Sequence, residues 1–138
     1  MRTFFDSSAL AKRYIQEAGS DEVLKFCMEA TEIGVSIICY PEILSAFCRL
    51  KREGHLTQTG LSQAKRELQA DLAEASVLEL TEITVENAAS LLETNALKAM
   101  DALHIATALE WQAEMFVSGD EQQLKAAKKA GLKIRKVG

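Results

Sequence analysis

The sequence predicts an α/β protein with a mostly parallel sheet covered by helices on both faces. Short apolar runs break off at polar residues, and stretches of ten or more residues with helical spacing lie between them. Parallel strands need crossovers of that length, and the crossover helices cover the sheet. In such sheets ligands bind outside the carboxyl ends of the strands.

The elements follow in order. RTFF (2–5) is apolar at its end and stops at Asp6, as a buried strand does. SSALAKRYIQEAG carries Leu10, Tyr14 and Ile15 at helical spacing, with Gly19 as its expected C-cap. SDEVLKFCMEA restarts at Ser20 as N-cap, with Val23, Leu24, Cys27 and Met28 on the inward face. IGVSII (33–38) is a β-branched strand. CYPEILSAFCRLKREG follows as a helix, with Pro41 expected at its first position and Ile43, Phe47 and Leu50 on one face.

TQTGLSQAKRELQADLAEA is amphipathic through Leu61, Leu68 and Leu72, and SVLEL (76–80) is a third strand. TVENAASLLETNAL reads as a helix with Val85, Ala88 or Ala89, and Leu92 inward. AMDALHIATALEWQA is the most apolar helix and so is expected at the centre. EMFVSG is a strand ending at Gly119, DEQQLKAAKKAG a short helix, and LKIRKV a final alternating strand.

A chain of 138 residues has room for one core, so residues 1–138 are expected to form one domain. Apolar residues make up 48% and charged residues 26%, which places the chain among soluble globular proteins. No signal-peptide-like apolar region follows MRTFF, and no stretch nears the ~18 apolar residues of a membrane span. Cys27, Cys39 and Cys48 lack C-x-x-C spacing and are expected to be buried, reduced thiols. A cytoplasmic protein is the expectation. The net charge of −4 argues weakly against a nucleic-acid binder. Setting four acids aside as metal ligands leaves 16 of each sign, a neutral remainder able to carry a basic groove.

Four acids stand out. Asp6 follows the first strand, Glu42 lies in the first turn after IGVSII, and Asp120 follows EMFVS, so all three belong to the carboxyl edge. Asp101 lies near the start of the central helix. Singly, each serves as a helix cap or a partner of the helix dipole. Together, four carboxylates at one edge would repel one another without a cation. An all-oxygen set suits Mg²⁺ or Mn²⁺ rather than zinc, and the chemistry such ions support is phosphodiester hydrolysis.

FFDSSALAKRY, YPEILSAF, MDALHIATAL and FVSGDEQQLKAAKKAGLKI resemble, in that order, the acidic motifs of PIN-domain ribonucleases. The likeness is nearest to the VapC-type toxins of toxin–antitoxin pairs and spans nearly the whole chain. It implies a three-layer α/β/α fold, Mg²⁺- or Mn²⁺-dependent endonucleolytic cleavage of RNA, a homodimer, and an antitoxin whose tail occludes the acidic pocket. Carried over by position, Asp6, Glu42, Asp101 and Asp120 are the catalytic acids. Asp6, Asp101 and Asp120 are implied metal ligands, with Glu42 acting through water. Ser8 matches the small hydroxyl residue that orients Asp6 or a bound water.

The chain also departs from the pattern. Lys98 stands where an Arg often precedes the third motif's Asp, and a lysine cannot make the bidentate fork to phosphate. A fifth ligand is left open among Glu121, Gln122 and Gln123.

His104 lies three residues after Asp101 and reads as a packed histidine beneath the site, with an orienting hydrogen bond or a ligand role as alternatives. His55 is expected to be exposed. Trp111, Met115 and Phe116 read as core, and Tyr40 and Phe47 as core or dimer interface. Six cations in the last 14 residues, Lys125 to Lys136, form a solvated face or an RNA-backbone track. Arg49, Lys51 and Arg52 have the same standing, and Lys98, Arg49 and Arg52 are the candidate substrate contacts.

Two rival enzyme classes lose on sequence. A haloacid-dehalogenase-type phosphotransferase wants an Asp where Ser8 stands. A response-regulator domain wants an acidic pair that the opening strand lacks. A PIN-fold protein that binds RNA or a partner without cutting remains the alternative.

Overall fold

A computed structural model describes residues 1–138. The elements are β1 (Arg2–Phe5), α1 (Ser7–Ala11), α2 (Ser20–Glu29), β2 (Glu32–Ser36), α3 (Cys39–Arg52), α4 (Gln58–Glu74) and β3 (Ser76–Leu78). They continue with α5 (Glu82–Thr94), α6 (Ala99–Glu110), β4 (Met115–Ser118), α7 (Glu121–Lys129) and β5 (Lys133–Lys136). All strand pairs are parallel, in the order β3-β2-β1-β4-β5.

Side chains alternate across a strand, and that alternation splits the core in two. Phe5, Val35 and Val117 face one layer with Leu10, Val23, Ile43, Phe47 and Leu68, so α1 to α4 cover that side. Phe4 and Phe116 face the other with Ile105, Ala108, Leu124 and Ala127 from α6 and α7. Ala88 of α5 packs on Ala102 and Ala106 of α6. Helices on both faces of the parallel sheet give the three-layer α/β/α architecture. The chain winds from β1 outward to β3, then crosses back to β4 and β5. The direction therefore reverses between β1 and β4, the place where doubly wound sheets open a crevice at their carboxyl ends.

Several local expectations are corrected. The helix over 7–19 stops at Ala11 and runs on through turns, while Arg13 and Tyr14 both reach Asp71 of α4 at 2.7 Å. Gly19 does not close that helix. It opens α2 as N-cap in the left-handed region, φ +92°, where an added Cβ would strike the backbone of Gly138. Ser20 is the first residue of α2, and its hydroxyl braces the preceding turn through Glu17 N–H and Ile15 O. Pro41 is the third residue of α3, still among positions whose N–H has no helical partner.

Leu24, Met28, Val85 and Leu92 are exposed rather than inward. Each helix buries a narrower stripe than its apolar residues could line. Of the three thiols only Cys39 is fully buried, and all three are free. Met115 and Phe116 are core, as is Phe47. Trp111 lies half-buried across Gly34, where a Cβ would come 2.6 Å from the indole.

Candidate active site

β1 delivers Asp6 to the switch point between β1 and β4. Asp6 is 2% exposed and caps α1, its Oδ1 accepting from Ala9 N–H at 2.8 Å. Ser8 Oγ–H lies 2.9 and 3.0 Å from the two carboxylate oxygens, and Ser118 Oγ–H donates to Oδ2 at 2.6 Å. Burial raises the Asp6 pKa. The Ser118 bond, the His104 charge, the Ala9 N–H and Ser8 oppose that rise without cancelling it.

Ser118, the last residue of β4, also accepts from Asp120 N–H at 3.0 Å. Asp120 is exposed and caps α7 by accepting from Gln123 N–H at 2.9 Å. Asp6 and Asp120 are thus helix caps at the carboxyl edge as well as candidate site acids, because a strand that ends there turns into a helix. Asp101 is not a cap. Lys98 holds the N-cap position of α6 without a side-chain bond, and Asp101 stands half-buried in the first turn. Its pKa is raised by burial first, then by the charges of Asp120, Asp6 and Glu42, with His104 opposing. Asp101 therefore feels the other three acids across the edge.

Glu42 Oε1 accepts from Ser7 Oγ–H at 2.7 Å and lies 2.6 Å from His104 Nε2. Burial would raise its pKa, but the bonds from His104 and Ser7 and the His104 charge hold it below the ordinary value. Beneath it the Cys39 thiol is pushed up to about 12, by burial and by the Asp6 and Glu42 charges, against a Ser7 bond.

Two of the three fifth-ligand candidates have partners elsewhere. Glu121 is exposed and ion-paired to Lys136. Gln123 is buried, with its amide on Asp101 O at 3.2 Å and Ser118 Oγ at 3.3 Å, tying α7 to α6 and β4.

A groove of about 480 Å³ opens beside these residues, lined by Ser7, Ser8, Lys12, Glu42, Arg49, Gly119 and Asp120 over an apolar floor that includes Ile43, Phe47 and Leu50. Arg49 thus shares a wall with two of the acids. Arg52 and Lys98 are exposed and do not line it. Lys12 does line it, 2.8 Å from Glu17, and sequence reasoning missed it because α1 ends earlier than its apolar spacing suggests. A separate cavity of about 360 Å³ beside Leu10, Arg13, Cys27 and Asp71 holds none of the four acids.

Ser7, Lys12 and Ser118 were not anticipated. The signals were present in the Ser-Ser pair after Asp6 and the Ser-Gly-Asp run that begins at the last residue of β4. No three His, Cys, Asp or Glu side chains converge tightly enough to cage an ion as they stand. The donor set still fits Mg²⁺ or Mn²⁺, which keep several waters and need only one or two direct carboxylates. The cost of ionising Asp101, set by burial and then by the neighbouring acid charges, is what a divalent cation would relieve.

Fold and site together define a parallel α/β protein with an acidic centre at its topological switch point. The PIN domain family model matches residues 3–129. The chain belongs to the PIN-domain family. Ribonuclease VapC45 of Mycobacterium tuberculosis is 31% identical over 106 residues, covering 77% of this chain and 74% of the relative. Among solved structures, a toxin–antitoxin complex from Klebsiella pneumoniae superposes with TM-score 0.67 at 15% identity, covering 88% of this chain and 89% of that one. VapC20 of Mycobacterium tuberculosis, described as a sarcin-ricin loop cleaving toxin, gives 0.69 at 16% identity, covering 94% and 95%.

Proposed function

We propose that this chain is a Mg²⁺- or Mn²⁺-dependent endoribonuclease and the toxin of a type II toxin–antitoxin pair, with residues 1–138 acting as one PIN-like domain. The observation that carries the reading is the gathering of Asp6, Asp101 and Asp120 with Glu42 at the carboxyl edge of the sheet, where the Asp101 pKa is raised by burial first and then by the charges of Asp120, Asp6 and Glu42. The ribonuclease relative and the toxin–antitoxin likeness point the same way. Asp6, Asp101 and Asp120 would hold the ion. A bound divalent cation supplies positive charge to the phosphodiester's attacking and leaving oxygens and acidifies water.

This chain's residues do the rest. Ser8 and Ser118 orient the Asp6 carboxylate. Glu42, kept ionised by its hydrogen bonds, accepts a proton from water at the groove. Arg49 meets substrate phosphate from the groove wall, with Arg52 and Lys98 as outer contacts that lend affinity without base choice. A cognate antitoxin and a second copy of the chain are the expected partners. No helix is long and apolar enough to cross a membrane, which accords with a cytoplasmic site of action.

The test is cleavage of a mixed tRNA and rRNA pool by the purified chain with Mg²⁺, Mn²⁺ or EDTA, beside Asp6→Asn and Asp101→Asn. Cleavage that needs the ion and disappears in both variants is expected. Cleavage that persists in EDTA and in both variants would overturn the four-acid site. Metal binding without cleavage of any RNA would favour the binding-only PIN-fold reading instead.

A further inference from the structure

The grip on Glu42 is one-sided. An ionised carboxylate only accepts, so the 2.6 Å contact to His104 requires a proton on Nε2. The single Ser7 hydroxyl proton goes to the same Oε1 at 2.7 Å, which leaves Ser7 Oγ sharing the imidazole N–H at 3.2 Å. Glu42 Oε2 takes no hydrogen bond from the protein, and the side chain is 30% exposed along the groove. The ring itself is 2% exposed, edge-on to Phe4, and its Nδ1 is buried with no partner. An apolar side chain would fill that space without burying an unpaired nitrogen. Packing alone therefore does not account for a histidine here.

We propose that His104 is a positioning residue: with Ser7 it fixes Glu42 Oε1, so that Glu42 presents Oε2 to the groove. The inference rests on the endoribonuclease reading for its catalytic consequence, but the clamp is a property of the chain alone. His104 sits on α6, the helix that carries Asp101, while Glu42 belongs to α3 on the opposite layer. The clamp thus ties Glu42 of α3 to the helix that carries Asp101.

The test is a cycle of His104→Leu, His104→Gln, Glu42→Gln and the His104→Leu/Glu42→Gln double variant, with thermal unfolding as the check on folding. Removing a residue that orients a site group typically costs ~10–100-fold, and that loss is expected in kcat of His104→Leu with KM little changed. Gln carries an amide N–H near the Nε2 position and should restore most of it. In the Glu42→Gln background His104→Leu should cost little more, because both changes break one contact.

Equal losses in both backgrounds, or a Gln variant no better than Leu, would overturn the proposal. Long-range ¹H–¹⁵N spectra of the metal-free protein give an independent readout, decisive even if His104→Leu misfolds. A protonated Nε2 whose resonance moves in Glu42→Gln and in Ser7→Ala is expected, and an Nδ1–H tautomer would overturn the clamp. If the wild type cuts no RNA, the endoribonuclease reading fails while the spectra still decide the clamp.

Discussion

Asp6 is buried against hydroxyls from two elements and one backbone N–H, so its orientation depends on groups 2 and 112 residues away. Ser118→Ala removes the shortest of these bonds. The expected outcome is a loss of ~1–3 kcal/mol in denaturant unfolding, from a buried carboxylate left under-satisfied. Cleavage should fall ~10–100-fold. Asp101 behaves differently. A carboxyl whose folded pKa is raised binds protons more tightly folded than unfolded. Its ionisation therefore costs stability: the loss begins as pH rises past the ordinary value of 3.8 and is complete once pH exceeds the raised folded value. Asp101→Asn should raise the melting temperature of the metal-free protein at pH 7 while abolishing cleavage. An unchanged or lower melting temperature would mean that the repulsion is screened away.

Among the elements, α6 was the most legible, because an almost wholly apolar helix can only lie between a sheet and another helix. Its own Ala102, Ile105, Ala106 and Ala108 are all buried. α1 was the least legible. Leu10, Tyr14 and Ile15 keep a helical period, yet the pull of Asp71 on Arg13 and Tyr14 replaces helix with turns after Ala11. β2 owes its place to a missing side chain: Gly34 lets the Trp111 ring lie against the strand, with the Arg2 guanidinium 4.2 Å from the ring centre. Gly34→Ala would drive a methyl into the indole. A loss of ~1–3 kcal/mol in unfolding free energy is expected, and partial recovery in a Gly34→Ala/Trp111→Leu double variant would trace it to that clash.

For the whole molecule, the arrangement of acids matters more than the net charge of −4. Four carboxylates gathered from both layers leave the metal-free fold with repulsion at Asp101 that, on the proposed reading, a divalent ion would offset. Mg²⁺ or Mn²⁺ at 100 times its dissociation constant adds about 2.7 kcal/mol. Calorimetry should therefore show the wild type melting several degrees higher with the ion. An Asp6→Asn/Asp101→Asn double variant should show no such shift, and an equal shift in both would place the ion elsewhere.

The sequence by itself determined the parallel sheet, the order of strands and helices, and the candidacy of Asp6, Glu42, Asp101 and Asp120. Each of these rests on local rules: strand length, crossover length, and where an acid falls relative to a strand end or helix start. Only the tertiary structure decided what holds those acids. Ser118 meets Asp6 across 112 residues and His104 meets Glu42 across 62, with Ser7 between them. Such partners depend on which strands become neighbours and on the depth to which each helix packs. A hydrogen bond forms within a few tenths of an ångström, a tolerance that spacing along the chain does not convey.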